Sequence, residues 1–449
     1  MRKGVIALGL EELREEDAPV EDAGRAEVTD FVDAPEDDLA DATEAETEVA
    51  RSEDEVAEAA DTAETLETVA DNLEETLPEG GVSEKEAETL EVAVEHMLKR
   101  VGFTAKHKKA FPALENFTKP EDRVAATKIA IEGIREKATA LYNAIVAAIK
   151  KAIEYVKKFF TSIVAAYAGL EKRAEALTKL AKSVQGEQAG EIAGNSALVE
   201  GGKALGGGEL VNAYKKHAAM AVVGAKRLAD ASVALKDAEA LAALGDGPRA
   251  AETAYDKIYQ AVNLDNVGGK TENHEQNGKV IQELKLGIGD QSLFVELNTD
   301  QSKDTSAVAK LLKFGASRSY VAASTGASKV DAGQVKPATD TEVQELCRLV
   351  VANGKSNEAL KSEIAKVESV SNELLSKLGA LAKSQDEYAG DALRAASGAV
   401  RGATQVLVNG TVALKAYDTK LAKNVLDFAG ASLKAYKSSK PAEGDKKAA

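Results

Sequence analysis

Residues Ile131–Leu177, IEGIREKATALYNAIVAAIKKAIEYVKKFFTSIVAAYAGLEKRAEAL, decide the fold. The apolar positions Ile131, Ile134, Ala138, Leu141, Ile145, Ile149, Ile153, Val156, Phe160, Ile163, Tyr167, Leu170, Ala174 and Leu177 follow one another in steps of three or four. That spacing draws one apolar stripe along one face of a helix. Thr118 and Glu121 have the spacing of a capping box, Pro120 suits a first turn, and no further proline occurs before Pro248. The reading is a single helix of about 60 residues, ~90 Å long at 1.5 Å per residue. A stripe of that length needs a partner along its whole extent. It therefore predicts an elongated bundle or hairpin of long helices rather than a compact globule.

Towards the C-terminus, Gly186, Gly190 and Gly194 close this helix, and Gly201-Gly202 with Gly206-Gly207-Gly208 reads as a flexible linker. A second helical stretch covers 209–244, and a short helix follows Gly245-Asp246-Gly247-Pro248 over 249–263. Alternation in Val280–Leu286 and Ser292–Leu297, around Gly287-Ile288-Gly289-Asp290, predicts a β-hairpin. A third strand is expected at Ser319–Ala322 and a helix near 304–314. Beyond it, Thr339 or Asp340 caps a helix starting near Glu342, and another runs from Ser356. The last covers 388–436, where Leu393, Val400, Leu407, Leu414 and Leu421 are spaced by seven.

Towards the N-terminus, Ser83 and Glu86 form a capping box for a helix over about 83–100, ended by Gly102. Residues 1–95 hold 33 acidic and 6 basic residues, −27 in all, while 96–449 holds 41 and 51, or +10. With Phe31 as its only aromatic, the acidic head is expected to be disordered, with transient helix at 52–76. The fold class is thus mainly α, an elongated bundle with a small α+β (β-hairpin) insertion and a disordered acidic N-terminus. The segments are an acidic head over 1–82, a short helical segment over 83–112 and the long helix over 113–200. A helical segment over 209–263, the α+β insertion over 264–338, a C-terminal helical bundle over 339–436 and a basic tail over 437–449 follow.

The chemistry is sparse. One cysteine in 449 residues excludes an intramolecular disulfide. The longest uncharged run, Gly402–Leu414, is 13 residues, short of the ~20 that span a bilayer. Met1-Arg2-Lys3-Gly4 leads into only a short apolar run, which is not read as a signal peptide. Gly269-Lys270-Thr271 ends like a phosphate loop, but Leu264 stands where its first glycine belongs. His96, His107, His217 and His274 are scattered without zinc spacing and are expected at the surface. Cys347 falls on an apolar helical face and reads as core. Asn116-Phe117-Thr118 and Asn409-Gly410-Thr411 match glycosylation sequons, which carry no meaning without a secretory route. No catalytic residue, cofactor or metal site emerges, so no enzymatic role is expected. Lys137, Lys150, Lys151, Lys157 and Lys158 against Glu154 make a cationic amphipathic stretch, a candidate face for DNA or an anionic membrane.

Three stretches carry a family resemblance. The first is Ala113-Leu114-Glu115 with Arg123–Thr127, Ile131–Ile134 and Leu170–Leu177; the second is Thr341–Cys347; the third runs from Ala392-Leu393-Arg394 through Ala416-Tyr417 to Leu426-Asp427-Phe428. Their order over 113–436 resembles the internal head proteins of large contractile-tailed bacteriophages. The resemblance implies a virion structural protein packaged inside the capsid with the genome, after assembly in the host cytoplasm. It implies capsid and other internal head proteins as partners, and a prohead protease that removes a propeptide after a motif ending in Glu. Ala42-Thr43-Glu44, Ala93-Val94-Glu95 and Ala113-Leu114-Glu115 fit such a motif, so Glu44, Glu95 and Glu115 are the candidate cleavage residues and the mature chain is expected to begin at His96 or Asn116. Independently, removal of the head leaves a basic body able to share the capsid non-specifically with DNA. Two other classes fit the residues: a self-associating helical scaffold or adaptor, and a membrane-active ejection protein acting through 137–170.

Overall fold

The computed structural model describes residues 36–102, 110–184, 186–188, 190–220, 222–242, 248–267, 271–276, 279–299, 305–327, 332–381 and 389–436. The chain opens with α1 (Glu36–Thr76), followed by α2 (Glu84–Arg100) and the spine of the molecule, α3 (Pro120–Ser183). At 64 residues α3 is ~96 Å long. All fourteen apolar positions of the deciding stripe are buried along it. Short pairs follow, β1 (Ile192–Ala193), β2 (Val199–Glu200) and β3 (Lys203–Ala204), then α4 (Gly207–Ala218), α5 (Val222–Ala242) and α6 (Pro248–Val262). The insertion contains β4 (Thr271–Gln276), β5 (Lys279–Lys285), β6 (Gln291–Leu297), α7 (Ala307–Phe314), β7 (Arg318–Ala323) and β8 (Gln334–Val335). The C-terminal third is α8 (Asp340–Ser356), α9 (Glu358–Leu381), α10 (Ala389–Ala403) and α11 (Gly410–Lys434). A π-helical turn, Thr404–Asn409, joins the last two without a break.

The insertion is a four-stranded antiparallel sheet in the order β4-β5-β6-β7. Opposite residues share a face, so Leu284, Leu293 and Val321 form one row and Glu283, Phe294 and Tyr320 a row on the other side. β7 packs its first face against α11 and the π-turn, and Ser319 on that face comes within 2.7 Å of where a Cβ on Gly410 would lie. β1 pairs with β8, tying the segment after α3 to the segment before α8.

Several expectations are corrected. The acidic segment is helical from Glu36, not disordered through residue 82, because α1 has a stripe of its own. Ala45, Val49, Ser52, Val56, Ala63, Leu66, Ala70 and Leu73 are buried, with Ala59 half-buried, in alternating steps of four and three. The expected disorder of residues 1–35 and the basic tail over 437–449 lie outside the described residues. The Thr118–Glu121 box does not form. Lys119 precedes a proline, which confines it to extended backbone (ψ 131°), so Lys119 is the N-cap and the Thr118 hydroxyl donates back to the Glu115 carbonyl at 2.6 Å. The glycines at 201–208 are not a flexible linker. Gly201 and Gly202 turn β2 into β3 with positive φ, and a Cβ on Gly206 would lie 2.7 Å from the Lys336 carbonyl oxygen. The helix expected at 209–244 is two helices, α4 and α5, and β4 was not expected at all. The turn expected at 245–248 falls on residues of which only Pro248 is described.

Candidate functional site

α1 runs antiparallel to α3: Ser52 donates to the Ala148 carbonyl at one end, and Asp71 and Glu74 meet Arg135 at the other. Its stripe supplies the adhesion, with small residues (Ala45, Ala63, Ala70) that let the helix axes approach and Leu66 and Leu73 as anchors. Its carboxylates then fall on either side of the seam, where the body presents cations. Arg135 of α3 lies 3.2 Å from Asp71 and 2.6 Å from Glu74. Burial pulls the Arg135 pKa down, but the hydrogen bonds that Arg135 donates to Glu74 and Asp71 outweigh it and the net direction is upward. Arg394 of α10 meets Glu67 at 3.0 Å. Arg401, seven residues further along α10, donates to the Gly315 carbonyl at 2.7 Å and is lowered by burial, against the upward pull of Glu64 and Asp61 of α1. Glu46 is raised by burial, with Lys420 of α11 pulling the other way. Tyr142 is buried and is pushed up chiefly by desolvation, with the charge of Glu67 adding to it.

Exposed pairs such as Arg135–Asp71 are worth only ~0–1 kcal/mol each. They do not hold α1 down; the apolar seam does. Their significance is what they record, a row of cations on α3, α10 and α11 facing an acidic helix. The 4-3 spacing from Ala45 to Leu73 was the signal in the sequence that could have found it.

The candidate cleavage residues sit in different settings. Glu44 is exposed inside α1 and Glu95 exposed inside α2. Glu115 lies in a single 3-10 turn, Leu114–Phe117, between α2 and α3, with Glu115 and Asn116 both exposed and Ala113 already extended (φ −56°, ψ 135°).

The five lysines differ in exposure. Lys137 is buried; Lys150, Lys151, Lys157 and Lys158 are exposed. Lys151 lies over the Tyr155 ring, and Lys157 bonds Glu368 of α9 at 2.9 Å. The stripe residues within 137–170 are buried, so among the described side chains there is no large apolar residue left exposed there for a membrane. No helix among the described residues is long and apolar enough to cross a membrane.

Cys347 is buried, its thiol pushed up to about 11 by desolvation. Of the histidines expected at the surface, His96 and His274 are exposed and His107 lies outside the described residues. His217 is the correction. It is 3% exposed, with Nε2 2.8 Å from Asp418 Oδ1 and Nδ1 3.2 Å from the Leu286 carbonyl. Lys415 Nζ donates to the other Asp418 oxygen at 2.9 Å. This buried ionic cluster ties α4 and α11 to the insertion. Sequence reasoning missed it because His217 lies 201 residues from its partner Asp418. Gly269 and Lys270 lie outside the described residues, and Thr271 begins β4, not a helix.

A family model for phiKZ-like phage internal head proteins matches residues 35–431. No curated protein and no solved structure matches the chain.

Proposed function

This chain belongs to the phiKZ-like phage internal head proteins and is a structural protein of the phage head; we propose that its acidic N-terminal segment is a removable mask over the basic body. The observation that carries this reading is the set of ion pairs from α1 to Arg135 and Arg394. In the precursor these cations are answered within the chain, and the whole carries −17. Once the prohead protease cuts, a chain beginning at Asn116 holds 46 basic and 40 acidic residues, or +6. Its uncovered arginines then face packaged DNA, which attracts positive charge without sequence readout.

A cut after Glu115 is favoured over the other two by accessibility. A protease needs an extended, accessible strand, and the turn at Leu114–Phe117 opens for the loss of a few hydrogen bonds. Glu44 and Glu95 lie within helices, and a cut at Glu44 leaves Val49–Leu73 on α3. The role is structural rather than catalytic, with the capsid and other internal head proteins as neighbours.

Terminal-peptide mass spectrometry of assembled particles tests it. The expected N-terminus is Asn116, and no peptide from 36–95 is recovered. Peptides spanning α1 at the same abundance as those from α11 overturn the propeptide reading and leave a standing interaction tail on an intact scaffold-like chain.

A further inference from the structure

Strand β4, Thr271-Glu272-Asn273-His274-Glu275-Gln276, carries no apolar side chain. An edge strand is ordinarily held by cross-strand side-chain pairs as well as by its ladder, and β4 has no hydrophobic pair to offer. What it offers lies on the sheet face turned away from α11. Glu272 stands directly opposite Glu283 of β5, and His274 is two residues on, on the same face. Glu283 is wholly buried. Its Oε1 accepts from Ser292 Oγ at 2.7 Å and from the Thr325 amide at 3.1 Å. Its Oε2 has no hydrogen-bond partner and lies 3.9 Å from His274 Nε2. Burial works against the charge, but the Ser292 and Thr325 hydrogen bonds outweigh it and keep the carboxyl below its ordinary range. A buried, ionised oxygen with no donor is costly to leave alone. One ligand atom each from Glu272, His274 and Glu283 lie within 4.8 Å of one another.

We propose that Glu272, His274 and Glu283 bind one zinc-type divalent cation, which staples β4 onto β5. One imidazole nitrogen with two carboxylates suits a late first-row metal. Calcium and magnesium prefer shells of six or more hard oxygens. Glu283 is the fixed ligand, clamped through Oε1 so that Oε2 points at the site. His274 and Glu272 lie nearer the surface and swing in, because metal bonds of ~2.0–2.2 Å bring ligand atoms to ~3.5 Å from one another. Lys285 Nζ holds Glu272 Oε1 at 2.8 Å, which leaves the second Glu272 oxygen for the metal. A fourth position stays open to water. The sequence pattern hid the site because two ligands come from one strand and the third from its neighbour.

The test uses the full chain, stripped with EDTA and titrated with zinc chloride. The readouts are calorimetry, metal analysis after gel filtration, and hydrogen exchange over 271–276. The expected result is one zinc per chain, affinity at least tenfold weaker in His274→Ala, and slower exchange of the β4 amides with zinc in the native chain only. Magnesium chloride at the same concentration is expected to give no saturable binding. His274 is exposed, so this variant keeps its fold; Glu283→Gln, checked by circular dichroism, gives the same loss from the buried side. Failure to retain stoichiometric zinc, equal affinity in His274→Ala, or unchanged exchange on zinc addition overturns the proposal.

Discussion

Asp418 is wholly enclosed, and its charge survives only through its neighbours. Burial alone raises its carboxyl; Lys415 beside it and the His217 hydrogen bond bring it down to about 2. A carboxyl held below its ordinary 3.8 stabilises the fold above that pH and gives the stabilisation up as pH falls towards about 2. Asp418→Asn removes that acid-dependent contribution and takes the Asp418 carboxylate away from the buried Lys415 ammonium. The expected cost is ~3–5 kcal/mol of unfolding free energy at neutral pH, measured by urea denaturation. A loss below ~1 kcal/mol would mean the cluster is solvated in solution. Cys347 makes the complementary case. With its thiol raised to about 11 and its side chain in the core, it is expected to react with a disulfide reagent only after denaturant is added; prompt reaction of the native chain contradicts the packing. The two residues also show what sequence makes legible. Cys347 was readable because its apolar neighbours, Leu346 and Leu349, lie within one helical turn. His217 was not, because its partner Asp418 comes from a helix 201 residues away.

At the scale of elements, close packing depends on missing side chains. Gly398 and Gly402, one turn apart on α10, face α7: a Cβ on Gly398 would lie 2.5 Å from the Leu311 carbonyl oxygen, and one on Gly402 2.4 Å from the Phe314 ring. Gly402→Ala forces α10 and α7 apart and is expected to cost ~1–3 kcal/mol as overpacking, despite alanine's better helix propensity. A variant as stable as the native chain by thermal denaturation would show that both the Phe314 ring and its carbonyl, 2.6 Å from the same Cβ, give way. Local signals at this scale were mostly legible. Ser83–Glu86 and Thr339–Glu342 form both halves of their capping boxes, and the β5–β6 hairpin turns at its positive-φ Gly287 and Gly289. The exceptions have physical causes. Pro120 overrode the third box by restricting Lys119. β4 was invisible because its pairing is carried by backbone hydrogen bonds and polar side chains, with no alternation to read. The π-turn at Thr404–Asn409 was equally hidden. Its irregularity is answered from another helix, where the Arg227 guanidinium donates to the Val406 carbonyl.

At the scale of the whole molecule, the charge split and the helical stripe turn out to be one feature. Composition alone predicts disorder for the acidic head, because that rule weighs charge against hydrophobicity within the segment. It takes no account of a partner surface, and α3, α10 and α11 supply one with both an apolar seam and arginines. Long-range complementarity of that kind is not local information, which is why α1 was the largest element missed. The mask reading predicts a difference that net charge does not. Glu67→Gln, Asp71→Asn and Glu74→Gln together remove the carboxylates over Arg394 and Arg135 while sparing the seam residues. Glu84→Gln, Glu88→Gln and Glu95→Gln remove the same charge from exposed positions of α2. If α1 masks specific cations, only the first set strengthens binding to duplex DNA at low salt. Its affinity should fall more steeply with salt, by about one log unit of slope for every additional phosphate neutralised, measured by fluorescence anisotropy across a salt series. Limited proteolysis should cut α1 at the same rate in both sets, because the apolar seam and not the ion pairs holds the helix on the body. Equal increases in affinity for both sets would make the acidic segment a bulk repulsive tail, and no increase for either would mean that the arginines beneath α1 serve the fold and not the genome.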